Sequence, residues 1–203
     1  AGRAAHQGVA PMAPGEQLLS LFCYDPAPVG DLLDTLAQST NPTRVLLTPG
    51  PATRLAQQWL TTHSLPTSLV LHQLPHLTQD NFDRLLWACD LNFVRGEDSA
   101  VRALWAGRPH VWHIYPQDDG VHEDKLNAFM TFWMRDWPSD LTDQVRGLWR
   151  CWNGLRGPLS SVPAPALPLQ DARWGALSLV SRQRLLEIPD LVTQLLGFIA
   201  SPR

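Results

Sequence analysis

Short apolar runs alternate with amphipathic segments from residue 18 to residue 153, and this alternation limits the possible folds more than any other feature. The runs typical of buried strands are Leu18–Cys23, Arg44–Thr48, Ser68–Gln73, Leu91–Val94 and Val111–Tyr115. The segments with helical spacing are Val29–Gln38, Thr53–Thr62, Gln79–Cys89, Asp98–Trp105, Glu123–Asp136 and Leu141–Asn153. Because parallel strands are joined by helical crossovers, the pattern predicts an α/β domain with a Rossmann-like, doubly wound parallel sheet.

The two ends of the chain differ from its middle. Ala1–Gln17 is rich in Ala, Gly and Pro and is typical of a flexible linker, so the predicted domain covers residues 18–203. Gly154–Asp171 is rich in Pro and Ser, which indicates a loop. Leu185–Ile199 has a helical pattern that Pro189 is expected to break or start.

Composition excludes several classes of protein. The net charge is −3 and no run of basic residues occurs, so nucleic acid is not an expected partner. No apolar run is long enough to span a bilayer, so no membrane association is expected. The three cysteines, Cys23, Cys89 and Cys151, show no metal-binding spacing and indicate reduced thiols in a cytoplasmic protein. His110 and His113 lie without a third ligand nearby and are expected to be structural or solvated rather than metal-binding.

The segment Asp90–Ser99 concentrates more functional groups than any other. An apolar run ends at Gly96 and an amphipathic helix follows almost at once, so backbone N–H groups and the positive end of the helix dipole meet at one spot. That geometry stabilises a phosphate. Arg95, Glu97, Asp98 and Ser99 surround the spot, although acidic residues and Ser are also ordinary helix-start residues, and spacing alone favours that simpler interpretation.

This segment and its neighbours carry a family resemblance. Asn92–Ser99, Arg102–Pro109 and Trp112–Gln117, with the upstream block Leu85–Asp90, resemble the bacterial protein-arginine rhamnosyltransferases that modify translation elongation factor P. The similarity is most specific over Leu74–Gln117. It implies the C-terminal, nucleotide-sugar-binding half of a two-domain GT-B glycosyltransferase. The acceptor site and the aspartate general base would belong to an N-terminal half outside this chain, and Ala1–Gln17 would be a remnant of the connection.

The resemblance implies a reaction and its components. The donor would be dTDP-β-L-rhamnose, and the reaction an inverting transfer of rhamnose to an arginine guanidinium of elongation factor P. No metal or other cofactor is expected, because protein groups neutralise the leaving diphosphate in GT-B enzymes. Elongation factor P would contact mainly the N-terminal half, so this chain alone is expected to transfer no sugar.

The resemblance also assigns donor-binding residues. Asp98 and Ser99 match residues that hold the diphosphate, through backbone N–H groups and the Ser99 hydroxyl, and Tyr115 matches a phenol that reaches the same phosphates. Glu97 matches a glutamate needed for activity, and it could hold sugar hydroxyls or orient the guanidinium. The remaining expected donor contacts are Phe22, Tyr24 and Gln79, for the base and nucleoside sugar, and Arg95. His76 stands where the family carries phenylalanine.

Other interpretations stay open from the sequence. Taken alone, Tyr115 is more typical of a tyrosine at the edge of a core, and Gln79 of a residue at a helix start. A different nucleotide-sugar enzyme, such as an epimerase or another glycosyltransferase, could use the same scaffold. A dinucleotide-dependent oxidoreductase is disfavoured, because Phe22 is followed by Cys-Tyr-Asp-Pro rather than by a glycine-rich turn.

Overall fold

The computed structural model describes residues 15–117, 120–155 and 171–200. The strands are β1 (Gln17–Leu21), β2 (Thr43–Leu47), β3 (Leu69–Gln73), β4 (Leu91–Arg95) and β5 (His110–His113). The helices are α1 (Val29–Ala37), α2 (Pro51–Leu60), α3 (Gln79–Ala88), α4 (Gly96–Ala106), α5 (Val121–Trp133), α6 (Ser139–Trp152), α7 (Ala172–Leu186) and α8 (Leu191–Ala200). Strands and helices alternate through β5, as the sequence predicts.

The five strands form one parallel sheet in the order β3-β2-β1-β4-β5. The chain therefore moves outward in one direction from β1 to β3 and in the other from β4 to β5. This arrangement confirms the predicted doubly wound sheet. In such sheets the crevice beyond the carboxyl ends of the strands, where the direction reverses, is the usual ligand site. Here that point lies between β1 and β4.

The core explains why the strands are so apolar. Helices cover both faces of the sheet, so the side chains of β1, β2 and β4 are almost all buried. Tryptophans of α5, α6 and the segment that joins them fill the space beside β5: Trp133, Trp137, Trp149 and Trp152 are all buried. The three cysteines are free and buried.

Several predicted boundaries differ from the structure. Glu16 and Gln17 belong to the domain rather than to a linker, because β1 begins at Gln17 and buried Glu16 pairs with Arg44 at 2.8 Å. Residues 1–14 and most of the predicted loop Gly154–Asp171 lie outside the described residues. The helix predicted from Asp98 begins at Gly96, directly after β4, so no separate turn intervenes.

The C-terminal part contains a helix that the sequence did not indicate. Helix α7 was not predicted, and the predicted helix Leu185–Ile199 is divided between the last residues of α7 and α8, which begins after Pro189. The side chains of α8 are exposed, with Phe198 at 78%. No helix in the described ranges has the length and apolar character needed to cross a membrane.

Candidate functional site

The loop after β1 is fixed over the carboxyl ends of β4 and β5. The Phe22 N–H donates to the Phe93 carbonyl at 3.0 Å, and the Tyr24 N–H donates to His113 Nδ1 at 3.3 Å. His113 therefore carries its ring proton on Nε2. Burial, followed by the nearby Arg95 charge, lowers the pKa of His113 to about 4, so the ring is neutral near pH 7.

Arg95, the last residue of β4, reaches under this loop. Its guanidinium lies 4.3 Å from the centroid of the Phe22 ring and 5.0 Å from that of the Tyr24 ring, and Nη1 donates to the Cys23 carbonyl at 3.1 Å. No carboxylate pairs with it among the residues that the structure describes. Arg95 is thus a half-buried cation held by aromatic faces and free to accept an anionic ligand. Burial raises the pKa of the Cys23 thiol to about 12, which leaves that residue unreactive.

The N-terminus of α4 follows Arg95 immediately. Gly96 has φ +68°, and a Cβ at this position would lie 2.8 Å from the Tyr24 hydroxyl, so both the backbone conformation and the close approach of Tyr24 favour glycine. Ser99 is buried, and no group in the described ranges bonds its hydroxyl. The Asp98 carboxylate accepts from Arg102 Nε at 3.0 Å. The Asp98 backbone N–H, in the first turn of α4, is therefore the group of this residue that could donate to an anion.

A cavity of about 290 Å³ opens beside this helix start, and we name it the α3–α4 cavity. Its volume is near the lower end of the range for small-molecule sites. It collects residues from the carboxyl ends of four strands, β1 to β4, and from both helices: Phe22, Thr48, Pro49, Pro75, His76, Leu77, Thr78, Gln79, Phe82, Arg95, Asp98, Ser99 and Arg102. The structure thus brings together five residues expected to bind the donor: Phe22, Gln79, Arg95, Asp98 and Ser99.

The other three expected residues, Tyr24, Glu97 and Tyr115, lie outside this cavity. Together with Lys125 they form a surface that we name the open flank. The Tyr24 and Tyr115 rings meet edge to face with centroids 5.4 Å apart, and burial raises the pKa of Tyr24. Glu97 Oε1 accepts from Lys125 Nζ at 2.8 Å, and this hydrogen bond lowers the pKa of Glu97. The structure therefore separates Tyr24 from Phe22, although both were expected near the base.

Sequence reasoning missed two contributions to the site. Lys125 lies on α5, far along the chain from Glu97, and belongs to no motif; its one signal is that it is the only lysine in the chain. Thr48 and Pro49 line the cavity because β2 ends beside β1. Among the described residues, no group of three or more His, Cys, Asp or Glu is placed to hold a metal ion.

Comparison with known proteins agrees with the resemblance carried by Asn92–Gln117. A family model described as Elongation-Factor P (EF-P) rhamnosyltransferase EarP matches residues 2–200. The protein-arginine rhamnosyltransferase of Pseudomonas putida is 39% identical over 211 residues, which cover 98% of this chain and 54% of the relative. The enzyme of the same name from Pseudomonas aeruginosa is 37% identical over 193 residues, covering 92% of this chain and 51% of the relative.

A solved structure described as the basis for EarP-mediated arginine glycosylation of translation elongation factor EF-P is also similar. It superposes with a TM-score of 0.75 at 35% identity, covering 93% of this chain and 62% of that one. The chain spans about half the length of the curated relatives that it matches. These matches confirm the family predicted from the sequence. The chain belongs to the elongation factor P rhamnosyltransferase family.

Proposed function

We propose that this chain binds dTDP-β-L-rhamnose as the donor-binding part of an enzyme that rhamnosylates an arginine of elongation factor P. The supporting observation is the meeting of the α3–α4 cavity with the N-terminus of α4, beside the guanidinium of Arg95, which no carboxylate in the described part of the chain neutralises. Family membership supplies the substrate class, and this geometry supplies a place for the diphosphate at the switch point of the sheet.

The cavity suits the nucleoside. The Phe22 ring offers an apolar face for thymine, and the Gln79 amide can both donate to and accept from the edge of the base. The diphosphate would then lie against the first turn of α4. There it could accept from backbone N–H groups, the Ser99 hydroxyl and the Arg95 guanidinium, and these donors would neutralise it without a metal ion.

The rhamnose would lie toward the open flank. Asp98, Ser99 and Arg102 line the cavity, whereas Glu97 projects from another face of α4 toward α5. A carboxylate gains nothing from a neighbouring diphosphate, because like charges repel. We therefore assign the Glu97 carboxylate to the sugar hydroxyls, where it accepts hydrogen bonds, and the Tyr115 hydroxyl to the outer phosphate.

The proposed transfer is a single displacement. A guanidinium nitrogen attacks the anomeric carbon, the bond from that carbon to the diphosphate oxygen breaks with its electron pair leaving on dTDP, and the anomeric configuration inverts. Because the pKa of a guanidinium is about 12 or higher, the group is protonated near neutral pH, and a carboxylate must take its proton. We place that base and the acceptor surface in the other half of the enzyme, since the chain spans about half the length of its relatives.

Calorimetric titration tests the donor assignment. The chain should bind dTDP more tightly than UDP, should not bind NAD, and should retain dTDP affinity in EDTA. Absence of dTDP binding would contradict the proposed function, and loss of binding in EDTA would contradict the neutralisation by protein groups. A preference for UDP would indicate a different nucleotide-sugar enzyme on the same scaffold.

The division of labour has its own test. Incubation of this chain with dTDP-rhamnose and elongation factor P should leave the mass of the acceptor unchanged, because one donor site does not position a protein substrate. Rhamnosylation by this chain alone would show that the general base lies within it.

A further inference from the structure

Lys125 joins α5 to the start of α4. Its Nζ donates to Glu97 Oε1 at 2.8 Å, and the same ammonium lies 5.7 Å from the centroid of the Trp112 ring. Trp112 is itself buried in β5 and packed edge to face against Phe129. The ammonium is therefore restrained from two sides, by an ion pair and by an aromatic ring within cation–π distance.

Helix α5 is anchored independently of Lys125. Arg150 of α6 donates to Glu123 at 2.7 Å and to Asn127 at 2.8 Å, so two residues on one face of α5 are tied to α6. Lys125 lies between them in sequence and projects from a different face, because successive residues of a helix point in different directions. The helix thus presents Lys125 to Glu97 from a fixed position.

Glu97 needs such a partner. Its side chain is 59% exposed, and a free carboxylate there would adopt several rotamers. Asp98 follows it directly, and a diphosphate bound at the same helix start would add more negative charge, which favours turning the carboxylate away or protonating it. Arg95 is held beneath the Phe22 and Tyr24 rings, so Lys125 is the cation that reaches Glu97 among the described residues.

We propose that Lys125 is a positioning residue of the donor site, which holds the Glu97 carboxylate ionised and aimed at the hydroxyls of the donor sugar. This inference rests on the proposed function. Lys125 acts through Glu97 and contacts neither the base nor the anomeric carbon. The gain is preorganisation, because the hydrogen-bond acceptor for the sugar is in place before the donor arrives.

The test is the affinity ratio of dTDP-rhamnose to dTDP, which isolates the contribution of the sugar. Calorimetry on this chain should show the sugar nucleotide bound more tightly, and Glu97→Gln should reduce that preference by about tenfold. Lys125→Met should reduce it nearly as much, while the affinity for dTDP changes little. Lys125→Arg keeps a cationic donor and should stay within about threefold of the wild-type ratio.

Glu123→Gln is the matched control, since it removes the charge of an ion pair on the same helix without touching Glu97, while the Gln amide oxygen can still accept from Arg150 and Asn127 still ties α5 to α6. It should preserve the ratio. An unchanged ratio in Lys125→Met, an equal loss in Glu123→Gln, or failure of Lys125→Arg to restore the ratio would each overturn the proposal. So would a wild-type chain that binds both ligands equally. Absence of dTDP binding by the wild-type chain is the separate result that contradicts the proposed function, and the inference with it.

Discussion

The α3–α4 cavity and the open flank border the same helix start, but Ser99 and Arg95 in the cavity differ from Glu97 and Lys125 on the open flank in how they are paired. In the cavity, the Ser99 hydroxyl has no hydrogen-bond partner and Arg95 has no carboxylate partner among the described residues. On the open flank, Glu97 and Lys125 already satisfy each other at 2.8 Å. Polar groups that open onto the cavity without a protein partner are available to a ligand, so we expect a ligand to complete the cavity, whereas the open flank is ordered before one arrives.

The difference indicates how binding free energy is distributed. Groups with no protein partner gain a full interaction when a ligand enters, and their loss should weaken binding strongly. Groups that are already paired exchange one partner for another, so their loss should alter selectivity or geometry more than affinity.

Gly96 is the point at which the two regions meet, and Gly96→Ala should have the largest effect. Alanine at φ +68° is strained, and its Cβ would lie 2.8 Å from the Tyr24 hydroxyl. We expect a loss of about 2–5 kcal/mol in unfolding free energy, together with loss of dTDP binding. Urea denaturation and calorimetry measure the two effects. Gly147→Ala within α6 meets nothing within 4 Å and should be neutral or stabilising.

The sequence predicted the sheet and the edge that carries the site, because both depend on periodicity and on local chemistry. Each strand is a short apolar run, and the Arg95–Ser99 cluster is contiguous in the chain. The separation of Phe22 from Tyr24 was not predictable in this way. It depends on how the loop after β1 wraps around Arg95, which is fixed by contacts to β4 and β5 rather than by its own residues.

Helix α7 was missed for a different physical reason. Its buried positions are Trp174, Ser178 and Ser181, which have helical spacing but are mostly polar. The Ser181 hydroxyl donates to the Trp133 carbonyl and accepts from Trp137 Nε1, so hydrogen bonds take the place of apolar packing. Meanwhile Leu179 and Val180 are exposed. Apolar periodicity therefore does not identify the buried face of this helix, because its apolar residues are partly on the exposed face.

Acid should destabilise the structure around β5, which carries a buried histidine at each end, with the next largest effect. Burial lowers the pKa of both His110 and His113 from 6.5 to about 4, so the unfolded chain takes up protons at a higher pH than the folded one. The contribution of the two neutral rings to stability should be constant above pH 6.5 and fall between pH 6.5 and 4, by on the order of 3 kcal/mol for each histidine. Protonation of paired carboxylates such as Glu97 should lower stability further at more acid pH. Urea midpoints at constant ionic strength measure this dependence.

Variants of the two histidines distinguish the contributions. His113→Asn should remove part of the pH dependence and loosen Tyr24, whose N–H bonds to His113 Nδ1. His110→Asn should remove a similar part without affecting that bond. Stability that does not change between pH 6.5 and 4 would show that neither ring is held neutral by burial.

The contrast between free and paired cations is tested by removing one of each. Arg95→Gln should weaken dTDP binding by about 2–3 kcal/mol, because a desolvated charged donor loses its anionic partner. Lys125→Met removes the same charge beside the same helix but should cost less than about 1 kcal/mol for dTDP, since Glu97 already offsets that ammonium. Calorimetry with dTDP compares the two. Equal losses would mean that only net charge matters, and the distinction between the regions would fail.

Losses smaller than that of Arg95→Gln should come from removing single hydroxyls, one in the cavity and one on the open flank. Ser99→Ala and Tyr115→Phe should each weaken dTDP binding by about 1–2 kcal/mol, the scale of one hydrogen bond to a charged group. Ser99 is buried at the cavity, whereas Tyr115 is 59% exposed and competes with water, so we expect the larger loss at Ser99. Thymidine, which lacks phosphates, should bind both variants as it binds the wild type. If thymidine and dTDP lose affinity equally, these residues support the fold and do not hold the diphosphate.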